Sequence, residues 1–212
     1  MALTAKEESD GGKTFDPVAA GVYPAVCYLV ADLGTHYDGK WDKHKHEIAI
    51  GWEIPELRLD MERDGKKVDF PQVISRIFTL SLNDKAHLRH ILEAWRGKPF
   101  SDDELNGFDL KNILGVPCMI QVMHREHNGK TYANVANVIP SRETLTAENP
   151  LQWFSIEEGL EIPENIPEWL VKKIKVSEEM TAPKDDGGFT TDPNDNFDVG
   201  APAEDSDDNL PF

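Results

Sequence analysis

The sequence predicts a mainly β domain, a small five-stranded barrel with one helix inserted between the third and fourth strands. Three observations carry this prediction. Strand-like runs, the clearest alternating apolar and polar residues with a period of two, recur before residue 81 and again after residue 115. Between them the period switches to that of a helix over one stretch, Leu88 to Trp95. Gly51 lies inside a strand run, where it lets the strand bend as barrel closure requires.

Residues 1–20 are polar, contain Gly11 and Gly12 and show no period, so a flexible N-terminal arm is expected. The first strand runs from Val22 to Ala31. Strict alternation puts Val22, Val26, Tyr28 and Val30 on one face and Ala25, Cys27, Leu29 and Ala31 on the other. Both faces are apolar, which predicts a central strand. Asp32 to Asp42 reads as a loop with Gly34, Asp38 and Gly39, carrying Trp41 at its exit. Lys43 to Ile54 then alternates, with His44, His46, Ile48, Ile50, Trp52 and Ile54 on one side, and predicts a half-buried second strand. A charged connection through Asp64 and Gly65 leads to a third strand from about Gln72 to Leu80.

Leu88, Ile91, Leu92 and Trp95 share one helical face, with Asn83 or Asp84 as the cap and Gly97 as the stop. Ser101 to Glu104 is a capping-box pattern, opening a short turn that leads through Phe108 to Gly115. Two further strands, Val116 to His124 and Lys130 to Ile139, are joined by Asn128-Gly129, a tight-hairpin signal. Over residues 21–140 the order is β-β-β-α-β-β. That is the order of the OB-fold, a five-stranded barrel widely used for oligonucleotides, although other small α+β domains share it.

Residues 141–176 read as a C-terminal extension. Its apolar patch, Leu151 to Ile156, is expected to cover an edge of the barrel. Pro167 opens a short helix with Ile166, Leu170 and Ile174 on one face, which packs on the domain or pairs with a second copy in a homo-oligomer. Residues 177–212 are rich in Asp, Gly, Pro, Asn and Thr, and a disordered acidic tail is expected there.

Charge is distributed unevenly. The formal net charge is −17, which taken alone argues against nucleic acid. From Glu178 to Phe212, however, there are 11 acidic residues and one lysine, whereas Tyr23 to Arg142 holds 17 acidic and 16 basic residues. The central domain is therefore nearly neutral and can carry a basic groove on one face. No apolar run is long enough to span a membrane and residues 1–21 lack an apolar signal core, so a cytoplasmic protein is expected. Cys27 and Cys118 sit in apolar surroundings and read as buried free thiols.

The last residues, Asp207, Asp208, Asn209, Leu210, Pro211 and Phe212, follow an acidic run with apolar side chains. Such a segment suits capture by a partner, with Phe212 in an apolar pocket and the aspartates steering toward a basic rim. The stretch Ser206 to Phe212 resembles the acidic tip of bacterial single-stranded DNA-binding proteins, departing from it at Asn209 and, conservatively, at Leu210. Within residues 20–140, Asp32-Leu-Gly-Thr35, Thr79 to Leu82, Lys85 to Arg89, Glu93 to Gly97, Phe108 to Leu110, Leu114-Gly115 and Asn128 to Lys130 look like phage-encoded OB-type single-stranded DNA-binding proteins. The resemblance implies a bacteriophage protein of the host-cell cytoplasm. Its role would be to coat single-stranded DNA during replication, recombination and repair and to recruit partner proteins through the tip.

Binding single strands without sequence preference needs cations along the backbone and aromatic faces for the bases. Candidate residues are Trp41 with Lys43 and Lys45, Arg76 with Phe78 on the third strand, Arg125 and Lys130 beside the Asn128-Gly129 turn, and Tyr132. Each has a plainer reading. Trp41 can lid the barrel, Phe78 and Trp52 fit a core better than a platform, and isolated lysines are ordinary solvated surface.

His44 and His46 on one strand face, and His124 with His127, supply nitrogen ligands for zinc in principle. No ligand-spaced cysteine pair accompanies them, and neither a metal nor another cofactor is expected. No phosphate loop, nucleophile elbow or dinucleotide fingerprint is present, and the densest carboxylates lie where nothing holds them in geometry. The expectation is a binding protein rather than an enzyme. The rival readings are an acidic DNA-mimic inhibitor without DNA binding and, behind it, a metal-dependent hydrolase built on the histidines.

Overall fold

Strand β1 (Gly21–Asp38) runs through the middle of the sheet, because both of its faces are apolar and both are covered. In the computed structural model, which describes residues 16–63 and 66–182 (the side chains of 61–67 excepted), the chain is mainly β with a few short helices. The anticipated arm lies largely outside the described residues, as does the acidic tail beyond residue 182, with the whole of its tip, Asp207–Phe212. Strands β2 (Lys43–Arg63), β3 (Lys66–Thr79), β4 (Pro117–His127) and β5 (Lys130–Pro140) give the antiparallel order β3-β2-β1-β4-β5. A sixth strand, β6 (Gln152–Phe154), pairs parallel with Leu29–Ala31 of β1. β4 occupies that same edge of β1 only from Gly21 to Val26, so β6 takes over the unpaired remainder.

β1 does not alternate strictly. The register against β2 shifts between Cys27 and Leu29 and again between Asp32 and Gly34. Each shift inserts a residue that flips the facing of all that follow. Cys27 and Val30 therefore share one core, while Tyr28, Leu29, Ala31 and Leu33 join the other. The faces expected from simple alternation are corrected accordingly.

The first core lies between the sheet and helix α1 (His87–Arg96), which buries Leu88, Ile91, Leu92 and Trp95 as expected. Trp95 meets Trp52 with ring centroids 6.3 Å apart, and its indole N–H donates to the carbonyl of Pro117 at 3.2 Å. Gly97, at φ 67°, ends the helix in the left-handed conformation that glycine adopts without strain. The cap position is Ala86 rather than Asn83 or Asp84. Ser101 and Glu104 form the expected reciprocal capping box at the start of α2 (Asp102–Asn106). Val18 joins this first core and its carbonyl accepts from His124, so the segment expected as a free arm packs on the domain at Val18.

The second core lies on the opposite face of β1 and β2. There β6, α3 (Glu168–Lys175) and α4 (Glu178–Thr181) cover Tyr28, Leu29, Ala31, Leu33 and Ala49. Leu170 and Ile174 supply the buried stripe of α3, with Ile166 just ahead of the helix, and α3 packs on the chain's own sheet. Disorder was expected from Ser177, yet Ser177 is fully buried and α4 follows it. The charged connection expected after Ile54 is a ribbon. β2 continues to Arg63 and β3 starts at Lys66, with an irregularity between Ile54 and Arg58 that includes Pro55, which has no N–H for the ladder.

Candidate nucleic-acid interface

The β1–β2 turn is built by Asp38. Its carboxylate accepts from the backbone N–H of Lys40 at 3.0 Å, and its carbonyl accepts from that of Trp41 at 3.1 Å. Asp42 adopts φ 51°, closing the turn. This geometry leaves Trp41 62% exposed, with the Lys40 ammonium 5.4 Å from its ring. Lys43 is also exposed and forms no ion pair among the described residues. Lys45 differs. It is held by Asp38 in a direct ion pair, and that hydrogen bond keeps the Asp38 carboxyl below the usual carboxylate range. Lys45 is consumed by the turn and drops out of the free cations.

At the β4–β5 turn, Asn128 and Gly129 take φ 50° and 71°, the left-handed pair that a two-residue hairpin turn demands. Arg125 stands directly across from Tyr132, and Lys130 opens β5. All three are exposed, Tyr132 by 48%, and neither cation is ion-paired among the described residues. This hairpin unites three of the residues expected from the sequence.

Arg76 and Phe78 are corrected. Both lie on the face of β3 that turns toward the first core, opposite Ile50 and Ile48. Phe78 is 3% exposed and cannot offer a face to a base. The Arg76 guanidinium lies 5.1 Å from the Phe78 ring and donates to the carbonyl of Val135 at 2.6 Å. Burial, and next the charge of Arg125, lower its pKa. Trp52 is fully buried, as its register with Ile48 and Ile50 implied. Trp41 and Lys43 thus remain on one loop, and Arg125, Lys130 and Tyr132 on the other hairpin.

Beside Tyr132 lies a groove of about 920 Å³, which the sequence reading did not anticipate. Its walls are the free edges of β3 and β5, residues 16–18 and two stretches of the extension, with Phe70, Val73, Tyr28, Asn149, Gln152 and Asn165 among the lining residues. Glu53, fully buried, holds that extension in place. It accepts from the backbone N–H groups of Glu148 and Asn149 at 2.7 and 2.8 Å, and from the Asn149 amide at 2.7 Å. Tyr28 packs against the same region, and burial, followed by the charges of Glu53 and Cys27, pushes its pKa up to about 12. Asp32 is likewise buried, accepting from Gly34, His46 and Ile156. The only sequence signal for Glu53 was a carboxylate beside Trp52 in a buried strand, which alternation assigns to the solvent face.

Three of the four histidines considered as ligands make contacts within the fold. His46 bonds to Asp32, His44 pairs with Glu178, and His124 bonds to the Val18 carbonyl. Among the described residues no three His, Cys, Asp or Glu side chains converge as a metal site would require. Cys27 and Cys118 are free and buried, and burial raises both thiol pKa values. No helix among the described residues is long and apolar enough to cross a membrane. A scan against protein-family models finds no match, and no curated protein matches the chain.

Proposed function

We propose that the domain is an OB-type module that binds and protects single-stranded DNA largely without sequence preference. Exposed aromatics beside cations that form no ion pair among the described residues carry the reading, on two turns: Trp41 with Lys40 and Lys43, and Tyr132 with Arg125 and Lys130. The β1–β2 and β4–β5 loops are the ones with which five-stranded OB barrels hold oligonucleotides. The approach of β3 to β5 through Arg76 and Val135 is consistent with a partly open barrel. In this reading the aromatics stack bases and the cations neutralise phosphates, so affinity falls with salt.

The wider role follows from the resemblance: phage DNA replication, recombination and repair in the host cytoplasm, with partner proteins recruited through Asp207–Phe212. The acidic-mimic alternative requires a folded face of free carboxylates. Against it, Asp38, Asp69, Glu93 and Glu104 are paired with Lys45, Arg58, Arg89 and Arg96.

The test is fluorescence anisotropy of labelled oligo-dT with the full chain at low and moderate salt, against a duplex of equal length. Salt-sensitive binding much tighter to the single strand is expected. Absence of binding at low salt would remove the reading and favour the mimic.

A further inference from the structure

We infer that the outward face of β4, β5 and the start of β1 carries a single strand of nucleic acid away from the Arg125–Tyr132 hairpin, with its bases laid along the sheet. The inference rests on the single-strand-binding reading above and gives that reading a track beyond the two turns.

The strand register defines the face. Arg125 stands across from Tyr132, and Met123 across from Asn134. Gln121 then meets Asn137, and Met119 meets Ile139. On the other side of β4, Val22 of β1 stands across from Gln121. Directly paired residues share a face, as do alternate residues along a strand. The intervening Ile120, Val122, Val135 and Val138 point the other way and are buried in the first core. None of the outward residues belongs to either core. Val22, Met123 and Ile139 are between 48% and 57% exposed. Exposed apolar side chains that adjoin one another mark a binding surface, whereas scattered ones do not.

Charge says what kind of molecule the face accepts. In a chain of net charge −17, none of these rungs holds Asp or Glu. Their one charged residue is Arg125, at the hairpin end, where Lys130 shares its face. A polyanion therefore meets no carboxylate on any rung and two cations at one end. Between them lie three amides, Gln121, Asn134 and Asn137, which can both donate to and accept from base edges or sugar-phosphate. Asn137 gives one N–H to the Gln121 oxygen at 3.0 Å, and each amide keeps its other polar atom. Met119 and Met123 are pliable surfaces, which suits contact with any base.

Size decides between a single strand and a second protein. The ladder from Met119 to Arg125 is about 20 Å long, and three strands make it about 10 Å wide. Such a strip, on the order of 200 Å² in plan, falls far short of the roughly 800 Å² per partner of a standard protein interface. Long, narrow and continuous with the cationic hairpin, it fits an extended strand whose bases rest on Met123, Val22 and Ile139.

The experiment places a charge of either sign on the face, as Met123→Glu and Met123→Lys and the same pair at Val22. Oligo-dT anisotropy is read with the full chain at about 0.1 M salt, where charges more than about 10 Å away are screened. Leu160, exposed in the loop after β6 and off this face, takes the same two substitutions as control. At Met123 and Val22, glutamate is expected to weaken binding about fivefold and lysine to tighten it by a similar factor, the effect of one unit charge at about 4 Å in water. The Leu160 variants should match wild type. A Glu-to-Lys difference no larger than that at Leu160, at either position, would overturn the inference while leaving single-strand binding by the turns intact. Sedimentation of wild type as a dimer and of Met123→Glu as a monomer would assign the face to a second copy and overturn it likewise. Should a glutamate variant not fold, the lysine variant at that position, compared with wild type, decides. Failure of the wild type to bind oligo-dT would instead sink the underlying reading.

Discussion

The guanidinium of Arg76 on β3 donates to the backbone carbonyl of Val135 on β5 at 2.6 Å. These strands stand at the two ends of the sheet order, and one side chain ties them together. Arginine suits the task because it remains a cation even where burial lowers its pKa, and it lies over Phe78 while it donates. Arg76→Leu leaves the Val135 carbonyl without its donor. Urea unfolding is expected to show a loss of about 1–3 kcal/mol. Arg76→Lys should recover only part of this, since an ammonium lacks the planar fork that both donates and stacks. Wild-type stability in the leucine variant would mean that the seam does not depend on this bond.

Glu53 is the hinge pin of the extension. It is fully buried, and three N–H donors from residues 148 and 149 converge on its carboxylate. Glu53→Ala removes the acceptor and orphans all three donors. A destabilisation of about 3 kcal/mol or more is expected by chemical denaturation. Limited proteolysis should then cut first between residues 141 and 166. Uniform protection of that segment in the variant would show that apolar packing alone holds it.

Much of the fold was legible because one period governs each element. Leu88, Ile91, Leu92 and Trp95 announced α1, Ser101 and Glu104 announced α2, and Asn128-Gly129 announced the hairpin. The misreadings have physical causes. Bulges at Tyr28 and Leu33 break the parity of β1, which no periodic count can anticipate. Pro55 and a run of charges disguised the outer half of β2 as a loop. Glu53 looked solvent-facing because alternation reports which face a residue is on, not that a later segment covers that face. Ser177 looked disordered for a similar reason: composition is silent about burial by packing. At the candidate interface, exposure divided Trp41 and Tyr132 from Phe78, and tertiary packing alone sets exposure.

That division yields a pair of contrasting substitutions. Phe78→Ala should cost about 3–5 kcal/mol of stability, as deletion of a buried aromatic does. Trp41→Ala and Tyr132→Ala should leave stability within about 0.5 kcal/mol yet weaken oligo-dT binding by about 1–3 kcal/mol each. Calorimetry and anisotropy on the same preparations separate the two effects. Unchanged DNA affinity in both exposed-aromatic variants would remove stacking from the mechanism.

The docking of α4 should depend on pH through Glu179. Its carboxylate is partly buried, which opposes ionisation, yet it accepts from the backbone N–H of Thr35 at 2.7 Å and from the Thr35 hydroxyl at 2.5 Å. These bonds outweigh burial and lower its pKa from 4.5 to about 2. A depressed carboxyl pKa means that the folded state binds the proton less readily than the unfolded chain. The resulting stability is complete above about pH 4.5 and is lost as pH falls from there toward 2. Glu179→Gln forgoes it at every pH, because a neutral amide cannot match a carboxylate as acceptor of two donors. Thermal melts should therefore place the variant below wild type at pH 7, with the two curves converging as pH falls toward 2. Parallel curves across that window would mean that α4 is held by its apolar contacts, with Met180 against the second core, and that the Thr35 bonds contribute nothing measurable.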